Sequence, residues 1–245
     1  IYGSLHTTSG GYLYDRKLVD CLRSRGAEVR IISLPWRTYP AHLSDNFRSG
    51  WKTQLQKECQ GLTVLLQDEL NHPSLFWCNR WLRRAINIPI ISIVHHLRSS
   101  EQHAVSHRWL YRLIERAYLR TVDDFIFNSQ TTRASVEAML GESIGGIVAY
   151  PAGDHVGELQ QGESYTIHPQ TPEGERPLRV LCVGNMSKRK GFHTVLAALA
   201  KVPQTAVHVH FVGSQSDRAY MRMLADQITR FGLSERVTFW GALPD

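Results

Sequence analysis

The sequence predicts an α/β protein of two doubly wound parallel-sheet (Rossmann-like) domains, the second incomplete. Three observations lead there. Short β-branched apolar runs alternate with stretches of helical period in both halves of the chain. One unit, Val180 to Leu199, reads as strand, glycine-bounded loop and helix in immediate succession. A stretch rich in Gly, Gln, Pro and Glu separates the halves and reads as a linker, giving domains at 1–154 and 176–245 joined by 155–175.

The first half opens on Ile1-Tyr2-Gly3-Ser4, which reads as the tail of a strand whose earlier half is missing. A helix from Tyr12 to Arg25 follows, apolar at Leu13, Leu18 and Leu22 and stopped by Gly26. Val29–Leu34 is the next expected strand. Gly10 and Gly11, between first strand and helix, let the backbone approach a ligand, although a structural turn would look the same. Residues 35–58 hold Pro35, Trp36, Tyr39, Pro40 and Trp51 and fit no regular period. They read as an exposed loop with a helical end, either shaping a binding pocket or a plain surface excursion.

Leu62–Leu66 is an expected strand ending at Gln67-Asp68-Glu69, and Trp77–Ile86 an expected helix. Ile88–Val94 is the strongest buried-strand signal in this half, and it delivers His95-His96 at its carboxyl end, where ligands sit in α/β sheets. A histidine pair is more often structural, and no third ligand at metal spacing accompanies it. His107–Arg120 reads as a helix with Leu110, Leu113, Ile114 and Ala117 on one side and Arg108, Arg112, Arg116 and Arg120 on another. Like charges at that spacing repel by a few tenths of a kcal/mol. The stripe fits either an anionic membrane surface or a solvated face. Asp124–Phe127 is an expected strand, with Ser129 a helix cap after it. Asp123-Asp124 lacks Asp-x-Asp spacing and reads as a strand edge.

In the second half, Val180–Val183 leads into a loop from Gly184 to Gly191 that carries Lys188, Arg189 and Lys190. Backbone N–H groups, a helix N-terminus and three cations suit an anion such as a nucleotide diphosphate. A solvated basic turn is the plainer alternative. Neither Gly-x-x-x-x-Gly-Lys-Ser/Thr nor Gly-x-Gly-x-x-Gly occurs there. Strands are expected at Val207–Val212, ending in Gly213, and at Val237–Gly241, with a helix from Tyr220 to Phe231 closed by Gly232.

At 245 residues and 42% hydrophobic content the chain can bury a core. No run approaches a membrane span and no leader precedes residue 30, so cytoplasmic residence is expected, with contact at the inner face of the cell membrane the variant. Cys21, Cys59, Cys78 and Cys182 lack Cys-x-x-Cys spacing and are expected as buried thiols, Cys21 and Cys182 among them. A net charge of +6 suggests an anionic partner: nucleotide, phosphorylated lipid, membrane surface or nucleic acid. No recognition helix, zinc module or aromatic RNA platform supports nucleic acid.

Val183-Gly184-x5-Lys190-Gly191 before an apolar helix resembles the start of the second domain in glycosyltransferase family 4, retaining enzymes of GT-B architecture. That pattern is usually Gly-Arg-x-x-x-x-Lys-Gly, its Arg and Lys binding the donor diphosphate. Lys190 matches the Lys; Asn185 stands where the Arg would be, with Arg189 able to supply charge from another angle. The resemblance implies donor or acceptor contacts at Gly10 and Gly11, phosphate contacts at Gly184, Asn185, Arg189 and Lys190, and base packing at Gly213. It assigns the donor-facing histidine to His95, with His96 in reserve and Glu101 to orient either. Ile147–Asp154 resembles the strand and Pro-x-Gly signature closing the first domain. The implied reaction moves a sugar from a nucleotide-sugar to an unknown sugar, lipid or small-molecule acceptor, without metal or cofactor. A pair of glutamates that holds the donor's hydroxyls in that family would fall beyond residue 245, so the 245 residues are expected not to turn over. A nucleotide-sugar epimerase of the same architecture is the alternative.

Overall fold

Among the described residues two parallel sheets organise the chain, one of four strands and one of three, in two compact units, Ile1–Glu158 and Leu159–Asp245. The structure, a computed structural model, describes residues 1–101, 104–151, 177–204 and 206–243. The expected linker at 155–175 and the signature residues 152–154 lie outside the described residues.

In the first unit, α1 (Gly10–Ser24) is capped by Ser9, whose Oγ accepts from Tyr12 N at 3.3 Å. Next come α2 (Tyr39–Asp45), α3 (Ser49–Glu58) and β1 (Leu65–Asp68). They are followed by α4 (His72–Leu75), α5 (Cys78–Ala85) and β2 (Ile90–Val94). The unit closes with α6 (Val105–Leu119), β3 (Asp124–Phe127), α7 (Gln130–Leu140) and β4 (Ile147–Val148). Strands run β1-β2-β3-β4, all parallel, with Leu65 opposite Ile90 and Ser92 opposite Phe125. Ser129 caps α7 as its position predicts, and Gly141 ends that helix at φ 81°. Leu82, Ile90, Val94, Tyr118, Phe127 and Val136 form the dry centre of this unit. A polar layer of Gln67, Asn79 and Thr121 is buried but mutually hydrogen-bonded at 2.9 Å, so its burial carries no unpaired-group penalty.

Three expectations fail here. Neither Ile1–Ser4 nor Val29–Leu34 forms a strand: they meet in a single parallel bridge, Tyr2 with Leu34. Residues 27–33 pair with no strand among the described residues, so Leu18 and Leu22 of α1 line a cavity of about 430 Å³ beside β1 instead of packing on a sheet. Gly10 and Gly11 are the first turn of α1 and not a loop, because Ser9 caps immediately before them. Residues 35–58 form two helices, held by Asn46, which donates to Pro73 O at 2.7 Å and accepts from the amides of Trp77 and Cys78. The thiols also divide otherwise than expected: Cys59 and Cys78 are buried, Cys182 half-buried and Cys21 exposed on the outer face of α1.

In the second unit, β5 (Leu178–Val183), α8 (Phe192–Leu199), β6 (Val207–Val212), α9 (Arg218–Phe231) and β7 (Val237–Gly241) follow the sequence pattern closely. The sheet order is β5-β6-β7, parallel throughout. Asp217 caps α9 and Gly232, at φ 63°, ends it. Leu196, Phe211 and Leu224 meet in a fully buried core.

Candidate functional site

In the first unit the carboxyl ends of β1 and β2 and the start of α1 converge. β1 ends at Asp68, β2 delivers His95, and α1 contributes Gly11 and Asp15. A Cβ on Gly11 would lie 3.3 Å from His95 Cδ2, so the small residue lets the imidazole lie against the helix. His95 Nε2 and Asp15 Oδ1 share a hydrogen bond at 3.1 Å, and Tyr14 meets the ring edge-on at 5.2 Å. The His95 carbonyl is fixed by the Asn128 amide at 2.8 Å. His96 turns outward to Glu101 at 2.9 Å, so Glu101 orients His96 and Asp15 takes that part for His95.

Behind this pair lies a buried charge cluster. Burial pushes the Asp68 carboxyl up, and the Asp15 charge adds to it. Burial and then the Asp68 charge raise Glu69 to about 8. His72 is held near 4 by burial and is neutral at pH 7. Glu115 is raised by burial and then by Glu69, although both of its oxygens receive the Ser99 amide. For His95 burial works against the cation, but the Asp15 hydrogen bond and the Asp68, Asp15 and Glu69 charges outweigh it and leave its pKa raised. The result is a cation-favouring histidine against carboxylates at a sheet edge.

Two donor sets among the described residues have ligand atoms within 4.8 Å of one another: Asp15, Asp68 and His95, and Glu69, His72 and Glu115. Their geometry could admit a divalent cation. Much of their donor capacity is already used inside the protein: His95 on Asp15, Asp68 Oδ1 on Leu70 N at 2.9 Å, and His72 on Glu69 O and Tyr39 OH.

In the second unit β5 runs into the basic loop. Met186, fully buried, pins its middle, and Met186 N donates to Ser214 O at 2.8 Å. Lys188–Lys190 is a single 3-10 turn, and Gly191 at φ 74° lets the chain enter α8. The methylenes of Lys190 lie beside Gly184, within 3.8 Å of where a Cβ would be. Asn185 Oδ1 accepts from Ser214 N at 3.3 Å, tying this loop to the one after β6. At Gly213 (φ 143°) a Cβ would fall 2.1 Å from Gly184 O, so glycine there is what allows the two loops to touch. Gly184, Asn185, Lys190 and Gly213 are thus neighbours, and Arg189 stands exposed on the same turn.

Residues 164–245 match the family model described as glycosyl transferases group 1. No curated protein matches the chain in sequence. Among solved structures, Anabaena HepE in complex with UDP-glucose superposes with a TM-score of 0.58 at 17% identity, over 97% of this chain and 60% of that one. The fold is of the GT-B type. The lipopolysaccharide outer core galactosyltransferase WaaB gives 0.54 at 14% identity, over 90% and 55% of the two chains. A glycosyltransferase from Rickettsia africae gives 0.54 at 13%, over 93% and 58%. The chain thus spans roughly three fifths of the length of these GT-B structures.

Asp15, Asp68, Glu69, His72 and Glu115 were not singled out from sequence. The available signal was position: Asp68 and Glu69 end an apolar run, as His95 does. Asp15 gave none, since an acidic residue in a surface helix is ordinary.

Proposed function

We propose that the chain is part of a retaining, metal-independent glycosyltransferase that moves a sugar from a nucleotide-sugar to an acceptor. The observation that carries this is the loop from Gly184 to Gly191, which exposes Lys188, Arg189 and Lys190 on one turn just before α8 with Lys190 beside Gly184, a cationic mouth of a strand–helix unit where a leaving diphosphate would be neutralised. The family model over 164–245 supports it, as does a structural neighbour crystallised with UDP and with UDP-glucose. His95, which Asp15 holds by a hydrogen bond that favours its cationic form, positions the donor sugar, and Gly10 and Gly11 line that approach. Peripheral membrane contact through α6 is supported by exposed Arg108, Arg112 and Arg120 beside Val105, Trp109 and Leu113, of which Val105 is 78% and Trp109 66% exposed. Among the described residues no helix is long and apolar enough to cross a membrane.

The test is UDP against uridine binding by calorimetry. Lys190→Ala is expected to weaken UDP by ~1.5–3 kcal/mol while leaving uridine nearly unchanged, because it removes a charge-assisted phosphate contact. Equal weakening of both ligands would place the phosphates elsewhere.

A further inference from the structure

A second cavity, of about 280 Å³, opens in the first unit between the residues that follow β1 and those that follow β2. Its lining includes Arg37, Arg98, His42 and His72 and no carboxylate, with Trp36 and Tyr39 as aromatic walls. Arg37 is already committed, since its guanidinium holds both oxygens of Asp45. Arg98 is not held that way. Its guanidinium lies 5.3 Å from the Tyr39 ring and 4.8 Å from the Tyr111 ring, and its buried Nε has no hydrogen-bond partner. Two aromatic rings hold this planar cation in place without spending its charge on a carboxylate. Trp36 is 53% exposed and offers a flat apolar face. Burial shifts the nearby Glu69 and Glu115 carboxyls toward their neutral forms.

We infer that this cavity is a binding site for a phosphorylated polyhydroxyl ring, the phosphate on Arg98 and the ring against Trp36, and that such a molecule is the acceptor. The volume suits one ring, being at the small end of ligand pockets of roughly 300–1,000 Å³. His72 and Tyr39, joined at 3.1 Å, supply polar edges for hydroxyls. The acceptor role rests on the glycosyltransferase reading; the binding site does not.

The full chain is titrated with glucose 6-phosphate, with glucose, and with phosphatidylinositol in phosphatidylcholine vesicles, following tryptophan fluorescence and calorimetry. Binding of glucose 6-phosphate supports a free sugar phosphate, and binding of the vesicles alone supports the same chemistry on a lipid. Arg98→Gln is expected to weaken whichever phosphorylated ligand binds by at least about tenfold, with Arg98→Lys between the two. Should Arg98→Gln not fold, Trp36→Ala at an exposed ring is expected to weaken the same ligand about fivefold or more. Glucose binding as tightly as glucose 6-phosphate, no binding by either phosphorylated ligand, or wild-type affinity in a folded Arg98→Gln protein would each overturn the site. UDP is titrated in parallel: its loss in Lys190→Ala tests the donor reading separately, so the two can fail independently.

Discussion

Replacing Gly213 with alanine probes the contact on which the basic loop depends. The new Cβ would lie 2.1 Å from Gly184 O, 2.5 Å from the Gly184 carbonyl carbon and 3.1 Å from Asn185 N, all backbone atoms that cannot swing aside like a side chain. Separations under 3.0 Å are essentially never seen for real Cβ atoms, so the start of the loop must retreat by about 1 Å. Overpacking of that kind, with the strain of a non-glycine residue at φ 143°, sums to roughly 2–4 kcal/mol against the second unit. Lys190, whose methylenes lie beside Gly184, moves with it. UDP affinity should therefore fall about tenfold or more. Gly232→Ala is the control: at φ 63° with nothing within 4 Å it carries strain but no clash, and it lies at the far end of α9. Urea unfolding and UDP calorimetry on both variants decide the matter. If Gly213→Ala matched Gly232→Ala in both stability and UDP affinity, the loop would not depend on this contact.

Asp15→Asn should lower the His95 pKa, read by imidazole NMR titration, because it removes the hydrogen-bonded carboxylate that favours the cation; an unmoved titration would refute the pairing. Glu69 keeps a proton in the folded protein up to about pH 8 that the unfolded chain loses near 4.5, so its contribution to stability is present below 4.5 and is lost as pH rises to 8. Raised His95 acts in the same direction above its ordinary 6.5. Glu69→Gln, which mimics the protonated acid, should flatten the fall in urea midpoint between pH 5 and 8.5, and an unchanged slope would place the extra proton elsewhere. Asn185→Arg should tighten UDP several-fold if the position faces the diphosphate; a folded variant with unchanged affinity would show that Asn185 serves only to hold Ser214.

Local signals determined most of the elements. Asp124–Phe127, Phe192–Leu199 and Val237–Gly241 form where β-branched runs and helical periods place them, and Ser9, Ser129 and Asp217 cap helices through their own hydroxyl or carboxylate oxygens. The basic loop was legible for the same reason: its chemistry is contiguous, six residues between two glycines. What happens to Val29–Leu34 was not legible, because a strand exists only with a partner, and its pairing reduces to one bridge at Leu34. The neighbours of His95 were equally hidden. Asp15 is 80 positions away and Asp68 closes a different strand, and parallel pairing of β1 with β2 and the seating of α1 bring their oxygens to one imidazole. Arg98 shows the same limit: adjacent to the histidines in sequence, it gains its character only when Tyr39 and Tyr111, from two other helices, close over its guanidinium. Propensity acts over a few residues and can be read in order along the chain, whereas a site depends on burial and charge summed over atoms that only the packed sheet brings within a few ångströms.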